Sequence, residues 1–288
     1  MSRPPKYDWT GTVLPAAAAF VETFDTGVTL RQCFYYLGSR LIGGFTLTTQ
    51  DYGLLSSWTT RARDEHRFPD FLDNTRRIVR PATFVSPDHA HEFLRAMYRR
   101  DRIEYADTSI YLGVEKAGLV EQLRGWFGDQ LGIPILPLGG WSSQTFRETV
   151  RREIEKDGRP AVLIYAGDFD PAGVLIGDSF RDKSAAFASY IRVGLNIDQI
   201  LDLPRSPFPQ SKAQHSLIPR FKATYGRQLA AMGLPDVVQY EIDALSPAAL
   251  RGLYQAAIDQ FFDTSAYDRS IAQEASDLAE IERRWSAA

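Results

Sequence analysis

The hydrophobic residues in the N-terminal third of the chain recur at helical spacing, three and four positions apart. The predicted helices span 16–24, 30–41, 51–63 and 86–99. Thr29 is a suitable N-cap for the second of these helices, and Ser86 followed by Pro87 is a typical helix start. A loop or short strand is predicted at 80–84, where Pro81 interrupts the helical pattern. This part of the chain is therefore predicted to be mainly helical.

From residue 107 onward, short apolar runs alternate with helical segments. The predicted strands span Ser109–Val114, 133–138, Ala161–Ala166 and 191–193. The helices predicted between and after them span 117–131, 144–156, part of 171–190, 248–262 and 268–285. Such alternation indicates a parallel sheet with right-handed crossovers. The predicted fold class is α/β, in which a mainly helical domain of helix-turn-helix or winged-helix type precedes a parallel-sheet domain with C-terminal helices.

Composition restricts the classes of protein that fit this pattern. The chain has 288 residues, 44% of them hydrophobic, and a net charge of −3. That balance argues against disorder and against a binder that relies on bulk positive charge. The single cysteine, Cys33, excludes an internal disulfide and a cysteine-rich zinc site. The sequence has neither a membrane-spanning apolar run nor a signal peptide, so we expect a cytoplasmic protein that makes no membrane contact.

Positive charge is concentrated in one part of the chain. Ten arginines lie within 61–102, against seven acidic residues. These arginines fit either a phosphate-binding face or a solvated arginine-rich surface. Charge alone favours the solvated surface.

Three carboxylates follow predicted strands. Glu115 comes directly after the first strand, and Asp168 and Asp170 follow the third. Ligands of parallel sheets bind beyond the carboxyl ends of the strands, where these side chains would lie close together. As structural alternatives, Asp170 and Glu115 can cap helices and Asp168 can support a turn. The three together favour an Mg²⁺ site, since clustered carboxylates need a cation or protonation, and such a site suits phosphodiester chemistry.

These acidic residues resemble the TOPRIM fold. That fold has a glutamate after its first strand and an Asp-x-Asp after its third, which Glu115, Asp168 and Asp170 match. The string Gly-Asp-Phe-Asp-Pro-Ala-Gly at 167–173 resembles the version in topoisomerase VI A subunits and their phage and bacterial relatives. Val-Glu-Lys at 114–116 resembles that family too.

The N-terminal half resembles the same family, which includes the meiotic double-strand-break transesterases. In that family a winged-helix domain carries Arg-x-x-x-Tyr, and the tyrosine attacks DNA. Arg31 and Tyr35 match this motif, whereas Tyr36 is one position out of register. Because Arg31 lies one helical turn before Tyr35, the two side chains share a face. Arg31 is thus placed to favour a phenolate or to hold a phosphate.

The resemblance implies a function, a set of partners and three domains. The implied reaction is Mg²⁺-dependent DNA cleavage through a transient phosphotyrosyl bond, as in a type IIB topoisomerase A subunit, with Tyr35, Arg31 and Glu115 as catalytic residues. It also implies a homodimer acting in trans and association with the nucleoid. The chain has no P-loop, so strand passage needs a separate ATPase subunit. The implied domains are a winged-helix-like DNA-binding domain at 1–106, a TOPRIM domain at 107–230 and a helical extension at 231–288. The expected DNA contacts are Arg76, Arg77, Arg80 and Lys116.

Two other functions fit the same residues. In a TOPRIM nuclease, a metal-activated water attacks DNA and Tyr35 is only structural. In a non-catalytic DNA-binding adaptor, the acidic site is vestigial. A covalent protein–DNA adduct distinguishes the transesterase from both, and chelator-sensitive cleavage without an adduct indicates the nuclease.

Overall fold

The computed structural model describes residues 6–24, 27–72, 81–140, 142–205 and 216–287. Within these ranges, a mainly helical N-terminal region is followed by a four-stranded parallel sheet and its flanking helices. None of the helices in these ranges is long and apolar enough to cross a membrane.

Helices packed around aromatic side chains form the N-terminal region. They are α1 (Leu14–Glu22), α2 (Leu30–Ser39), α3 (Thr49–Asp64) and α4 (Pro87–Met97). A capping box starts α2, because the Thr29 hydroxyl accepts the Gln32 N–H while the Gln32 side chain accepts the Thr29 N–H. Phe34 of α2 packs edge-on against Tyr52 of α3, with 5.2 Å between ring centroids. These contacts fix the orientation of α2, which carries Tyr35.

The sheet begins at Ser109. Its strands are β1 (Ser109–Val114), β2 (Ile135–Pro137), β3 (Ala161–Ala166) and β4 (Phe187–Gly194). They pair in parallel in the order β2-β1-β3-β4. β1 and β3 are buried along their whole length, which explains their continuous apolar runs. Val114 pairs with Ala166, so the residues after these two strands emerge side by side.

Helices follow and flank the strands. They are α5 (Val120–Leu123), α6 (Asp129–Leu131), α7 (Gln144–Asp157), α8 (Gly173–Ser184), α9 (Ile218–Ala231), α10 (Pro247–Ile258) and α11 (Thr264–Ser286). α5 and α6 belong to one irregular helical segment, because a π-helical turn at Arg124–Gly128 joins them. α10 is fixed to the sheet by Tyr254, whose buried hydroxyl donates to the Gly113 carbonyl at 2.6 Å.

An ionic cluster ties α11 to the segment before β1. Arg102 lies 2.7 Å from Glu274, and both side chains are nine-tenths buried. Arg100 pairs with Glu104 at 2.6 Å and with Asp277 at 2.7 Å. We call these five residues the structural cluster, because they hold two distant parts of the chain together.

The predicted helical N-terminal region and the predicted parallel α/β sheet are confirmed. β1 and β3 have the predicted bounds, whereas β4 is longer than 191–193 because exposed side chains interrupt its apolar pattern. The sequence did not predict α9. The described residues before Ser109 contain no strand, so of the loop or short strand expected at 80–84, residues 81–84 form a loop. The winged-helix and TOPRIM assignments and the three domain bounds stay predictions.

Candidate functional site

Glu115 and Asp168 lie together at the carboxyl ends of β1 and β3. The Glu115 N–H donates to the Ala166 carbonyl at 3.0 Å, which continues the pairing of the two strands. The Glu115 Oε2 atom accepts the Asp168 N–H at 2.8 Å. Two glycines make room for this carboxylate, since a Cβ atom at Gly167 or Gly173 would lie 2.8 or 2.9 Å from Oε2. The local sequence therefore favours a carboxylate held close to the β3–α8 loop.

Asp170 lies in the same loop and also supports the start of α8. Its Oδ1 atom accepts the N–H of Ala172 at 2.9 Å and that of Gly173 at 2.7 Å. This is the hydrogen-bonding pattern of a helix cap, the structural alternative considered for this residue. Asp170 also lies close enough to Glu115 for its charge to act on that carboxylate.

Lys116 bridges two buried carboxylates. Its Nζ atom lies 2.5 Å from Asp168 Oδ2 and 2.9 Å from Glu241 Oε2. The other oxygen of Asp168 accepts the Ile242 N–H at 2.9 Å, and the other oxygen of Glu241 accepts from Gln239 Nε2 at 2.6 Å. Lys116, expected to contact DNA, thus lies among carboxylates in this structure.

Arg31 connects α2 to the same carboxylates. Its Nη2 atom lies 3.1 Å from Glu241 Oε2, and its Nε atom lies 3.5 Å from Asp243 Oδ2. The Arg31 side chain is half-exposed, whereas both carboxylates are buried. Close to these ion pairs, Gln32 of α2 donates to Gln122 of α5 at 3.0 Å. The helical region and the sheet region therefore meet at the candidate site.

Tyr35 and Tyr36 face different surroundings. Tyr35 lies close enough to Arg31 for the two side chains to interact electrostatically, as their spacing of four residues predicts. It is only 5% exposed and packs edge-on against Phe34. Tyr36 instead stacks on Phe20, with 4.0 Å between ring centroids. Tyr35 is thus the tyrosine that shares a face with Arg31, and it lies inside the helical core.

Several carboxyl groups at the site have raised pKa values. Burial, helped by the charge of Asp170, raises the pKa of Glu115. Burial and the charge of Glu115 raise the pKa of Asp168, and together they outweigh the opposing effect of Lys116. Burial also raises the pKa of Asp243. Burial is the largest cause of each of these shifts, and neighbouring carboxylates add to it at Glu115 and Asp168.

Positive side chains balance the site in part. Burial would raise the pKa of Glu241, but the charges of Lys116 and Arg31 outweigh burial and lower it. Arg192 donates to backbone carbonyls of the β3–α8 loop and acts on Glu115. We call the following residues the acidic cluster: Glu115, Asp168, Asp170, Glu241 and Asp243. With every group ionised, these five carboxylates and the three cations leave a charge of −2, which one divalent ion would neutralise.

A cleft of 640 Å³ opens beside the acidic cluster. Residues of α2 and α3 line one side of it, and the β1–α5 connection and Gly139 line another. Its charged lining residues are Arg31, Arg63, Lys116, Glu115 and Asp243. The volume lies within the usual range for ligand sites, about 300–1,000 Å³. Cationic groups that attract phosphate and acidic groups that attract a metal therefore face one space.

The donor chemistry of the acidic cluster fits Mg²⁺. Carboxylate oxygens are the hard ligands that this ion prefers. Gly167 and Gly173 leave room around the Glu115 carboxylate. In the described ranges, no group of three or more His, Cys, Asp or Glu side chains converges on one point in an arrangement that could hold a metal ion. Between Asp168 and Glu241, the position of a cation is taken by the Lys116 ammonium.

The expected DNA contacts Arg76, Arg77 and Arg80 lie outside the described residues. Other arginines of 61–102 have separate roles. Arg63 lines the cleft, whereas Arg100 and Arg102 belong to the structural cluster. The arginine-rich segment is therefore not one uniform face, and DNA contact stays a prediction.

Sequence analysis missed Glu241, Asp243 and Arg192 as residues of the site. Glu241 and Asp243 reach it because Phe169 and Tyr240 form an isolated antiparallel bridge next to Asp168. Their only sequence signal is a pair of acids within a stretch at 237–245 that is otherwise apolar except for Gln239. Arg192 lies within β4, where a lone cation in a strand gives no sign of its partners.

No family model matches this chain, and a search of curated proteins finds no match either. A function is therefore inferred from the geometry of the site and from the resemblance of its motifs.

Proposed function

We propose that this chain cleaves DNA strands in an Mg²⁺-dependent reaction, in the manner of type IIB topoisomerase A subunits. The observation that carries the proposal is the acidic cluster at the ends of β1 and β3, joined by ion pairs to the helix that carries Arg31 and Tyr35. An excess of carboxylates beside a cationic cleft is the arrangement that metal-assisted phosphodiester chemistry requires. The TOPRIM and winged-helix assignments are part of the same proposal.

Five charged residues of the site have roles in this reaction. Glu115, Asp168 and Asp170 hold the metal. When bound, Mg²⁺ supplies positive charge that stabilises the oxygens of the reacting phosphodiester. Arg31 and Arg63 line the cleft, where their guanidinium groups bind and orient phosphates of the DNA backbone.

Tyr35 is the proposed nucleophile. Its hydroxyl oxygen bonds to phosphorus and the phenolic proton is lost to solvent. The phosphorus–oxygen bond to the leaving strand breaks, and that oxygen takes a proton from solvent and departs as an alcohol. A free phenol, with a pKa of about 10, is a weak nucleophile at neutral pH, so the adjacent Arg31 guanidinium favours the phenolate. Because Tyr35 is only 5% exposed and Arg31 ties α2 to Glu241, we infer that α2 must leave Glu241 before attack. In a homodimer, it would then meet the metal site of the partner subunit.

A metal-dependent nuclease is the second candidate, and the burial of Tyr35 favours it. Tyr35 is 5% exposed, whereas Glu115 lines the cleft. In this reaction a water molecule attacks phosphorus, and Tyr35 only holds Arg31 in position. A separate ATPase subunit and nucleoid association belong to the topoisomerase-like proposal and not to this one.

Denaturant trapping of cleavage products on end-labelled DNA separates these functions. With Mg²⁺, we expect the wild-type chain to remain covalently attached to a DNA end. Tyr35→Phe should retain DNA binding and lose cleavage, because the attacking oxygen is gone. Tyr36→Phe is the matched control and should keep most of the activity, since its ring stacks on Phe20 away from Arg31.

Two results would overturn the transesterase. Chelator-sensitive cleavage by Tyr35→Phe, absent from a Glu115→Ala preparation, would establish the nuclease. DNA binding without any cleavage, with or without Mg²⁺, would indicate a non-catalytic adaptor.

A further inference from the structure

The Lys116 side chain is buried more deeply in the acidic cluster than a lysine whose only role is to contact DNA. Its side chain is 25% exposed, and its ammonium lies between Asp168 and Glu241, which are 5% and 6% exposed. Of the cationic side chains that the structure describes, only that of Lys116 forms an ion pair with Asp168. It is therefore the internal counter-ion of that carboxylate.

The hydrogen bonds of Asp168 define which oxygen remains for a metal. Oδ1 accepts the Ile242 N–H at 2.9 Å, which anchors the 241–243 segment. Oδ2 makes the 2.5 Å contact to Lys116. A metal ion that coordinates Oδ2 would therefore meet the Lys116 ammonium at the same oxygen.

Lys116 and a metal ion cannot share this oxygen in the present arrangement. Mg²⁺ binds oxygen ligands at about 2.0–2.1 Å, so an ammonium held at hydrogen-bond distance from the same oxygen would be in strong like-charge repulsion with the ion.

We propose that Lys116 and Mg²⁺ occupy the acidic cluster in turn, and that the metal displaces the lysine from Asp168 when it binds. Lys116 also lines the cleft, so its released ammonium lies beside the space assigned to the DNA backbone. Metal binding then also releases the Lys116 ammonium, which becomes available to bind a phosphate. This inference rests on the metal site of the proposed function.

Thermal unfolding of the full chain during Mg²⁺ titration tests the competition without any activity measurement. Lys116→Met keeps the length of the side chain and removes the charge. We expect the Mg²⁺ concentration that gives half the stabilisation to fall about tenfold, within the usual range for coupled binding events. Lys6→Met is the matched control, because Lys6 pairs with the buried Asp51 at 2.8 Å outside the acidic cluster. It should destabilise the chain and leave that Mg²⁺ concentration unchanged.

The outcomes separate this inference from the proposed function. If Mg²⁺ stabilises the wild type and Lys116→Met at the same concentration, the competition is wrong and the metal site stands. If Mg²⁺ stabilises neither chain, the metal site is wrong and the inference fails with it.

Amine labelling of the wild type provides a second test, which does not depend on whether the variant folds. Reductive methylation followed by mass spectrometry reports how accessible each lysine is. We expect saturating Mg²⁺ to increase the labelling rate of Lys116 several-fold and to leave that of Lys6 unchanged. A metal-stabilised chain in which Lys116 labels no faster would overturn the displacement.

Discussion

Two ionic clusters in this chain use the same residue types with opposite electrostatic results. In the structural cluster, hydrogen bonds from Arg100 and Tyr98 lower the pKa of Asp277 to about 2. In the acidic cluster, burial raises the pKa values of Glu115 and Asp168. The carboxylates of the structural cluster are stabilised in their charged form, whereas Glu115 and Asp168 are stabilised in their protonated form.

Pairing and burial account for this difference. Each carboxylate of the structural cluster has an arginine within 2.7 Å, as Glu274 has Arg102. Among the described residues, Glu115 has no ion pair, and Asp168 shares the single charge of Lys116 with Glu241. A saturated cluster joins parts of a fold, whereas an unsaturated one at the ends of parallel strands is suited to an added cation.

The largest contrast between the clusters should appear in DNA cleavage. We expect Asp168→Ala to reduce cleavage by about a hundredfold or more, because the metal loses a ligand. Asp277→Ala should cleave at the wild-type rate, because its carboxylate only holds α11. Cleavage rates on one labelled DNA check both variants. Equal losses of cleavage rate in Asp168→Ala and Asp277→Ala would show that the two clusters do not differ in their role in cleavage.

The next contrast concerns stability. Arg102→Met should lower the free energy of unfolding by about 2 kcal/mol, since it leaves Glu274 mostly buried without its partner. Arg31→Met should cost less, because the Arg31 side chain is half-exposed and solvent already screens its charge. Urea denaturation without Mg²⁺ measures both. A larger loss for Arg31→Met would show that the acidic cluster, and not the structural cluster, holds the fold.

Opposite pKa shifts predict opposite effects of pH on stability. The pKa of Asp168 is raised to about 8. The stability that this group contributes to the fold is therefore complete below about pH 4 and is lost as pH rises through about 8. The pKa of Asp277 is lowered to about 2, so its contribution is present above about pH 4 and is lost as pH falls towards 2. Without metal, we expect the melting temperature of the wild type to fall between about pH 5 and 8.

Two variants identify the group responsible for this fall. In Asp168→Asn, the melting temperature should fall less as pH rises. In Asp277→Asn, it should fall as in the wild type. An unchanged decline in Asp168→Asn would show that the shift belongs to another carboxyl group.

The smallest effect is expected for a surface ion pair outside both clusters. Arg151 on α7 pairs with Glu148 at 2.7 Å, and both side chains are more than a third exposed. Arg151→Ala should leave the melting temperature unchanged within experimental error, because solvent screens exposed pairs. A loss as large as that of Arg102→Met would show that burial does not decide the strength of these contacts.

The sequence predicts those parts of the fold and site that depend on local pattern. β1 and β3 are buried at every position, so their apolar runs have unambiguous ends. Glu115 directly follows β1, and Asp168 lies two residues after β3. The other half of the site depends on tertiary contacts. Glu241 arrives through the bridge between Phe169 and Tyr240. The placement of Lys116 depends on carboxylates at both 168 and 241, which no local pattern reveals.

Calorimetric titration of Mg²⁺ into the full chain tests the central claim most directly. The acidic cluster should give the wild type one saturable site, which Asp168→Ala should lose and Asp277→Ala should retain. Saturable binding of equal strength in Asp168→Ala, or none in the wild type, would contradict an Mg²⁺ site at the ends of β1 and β3.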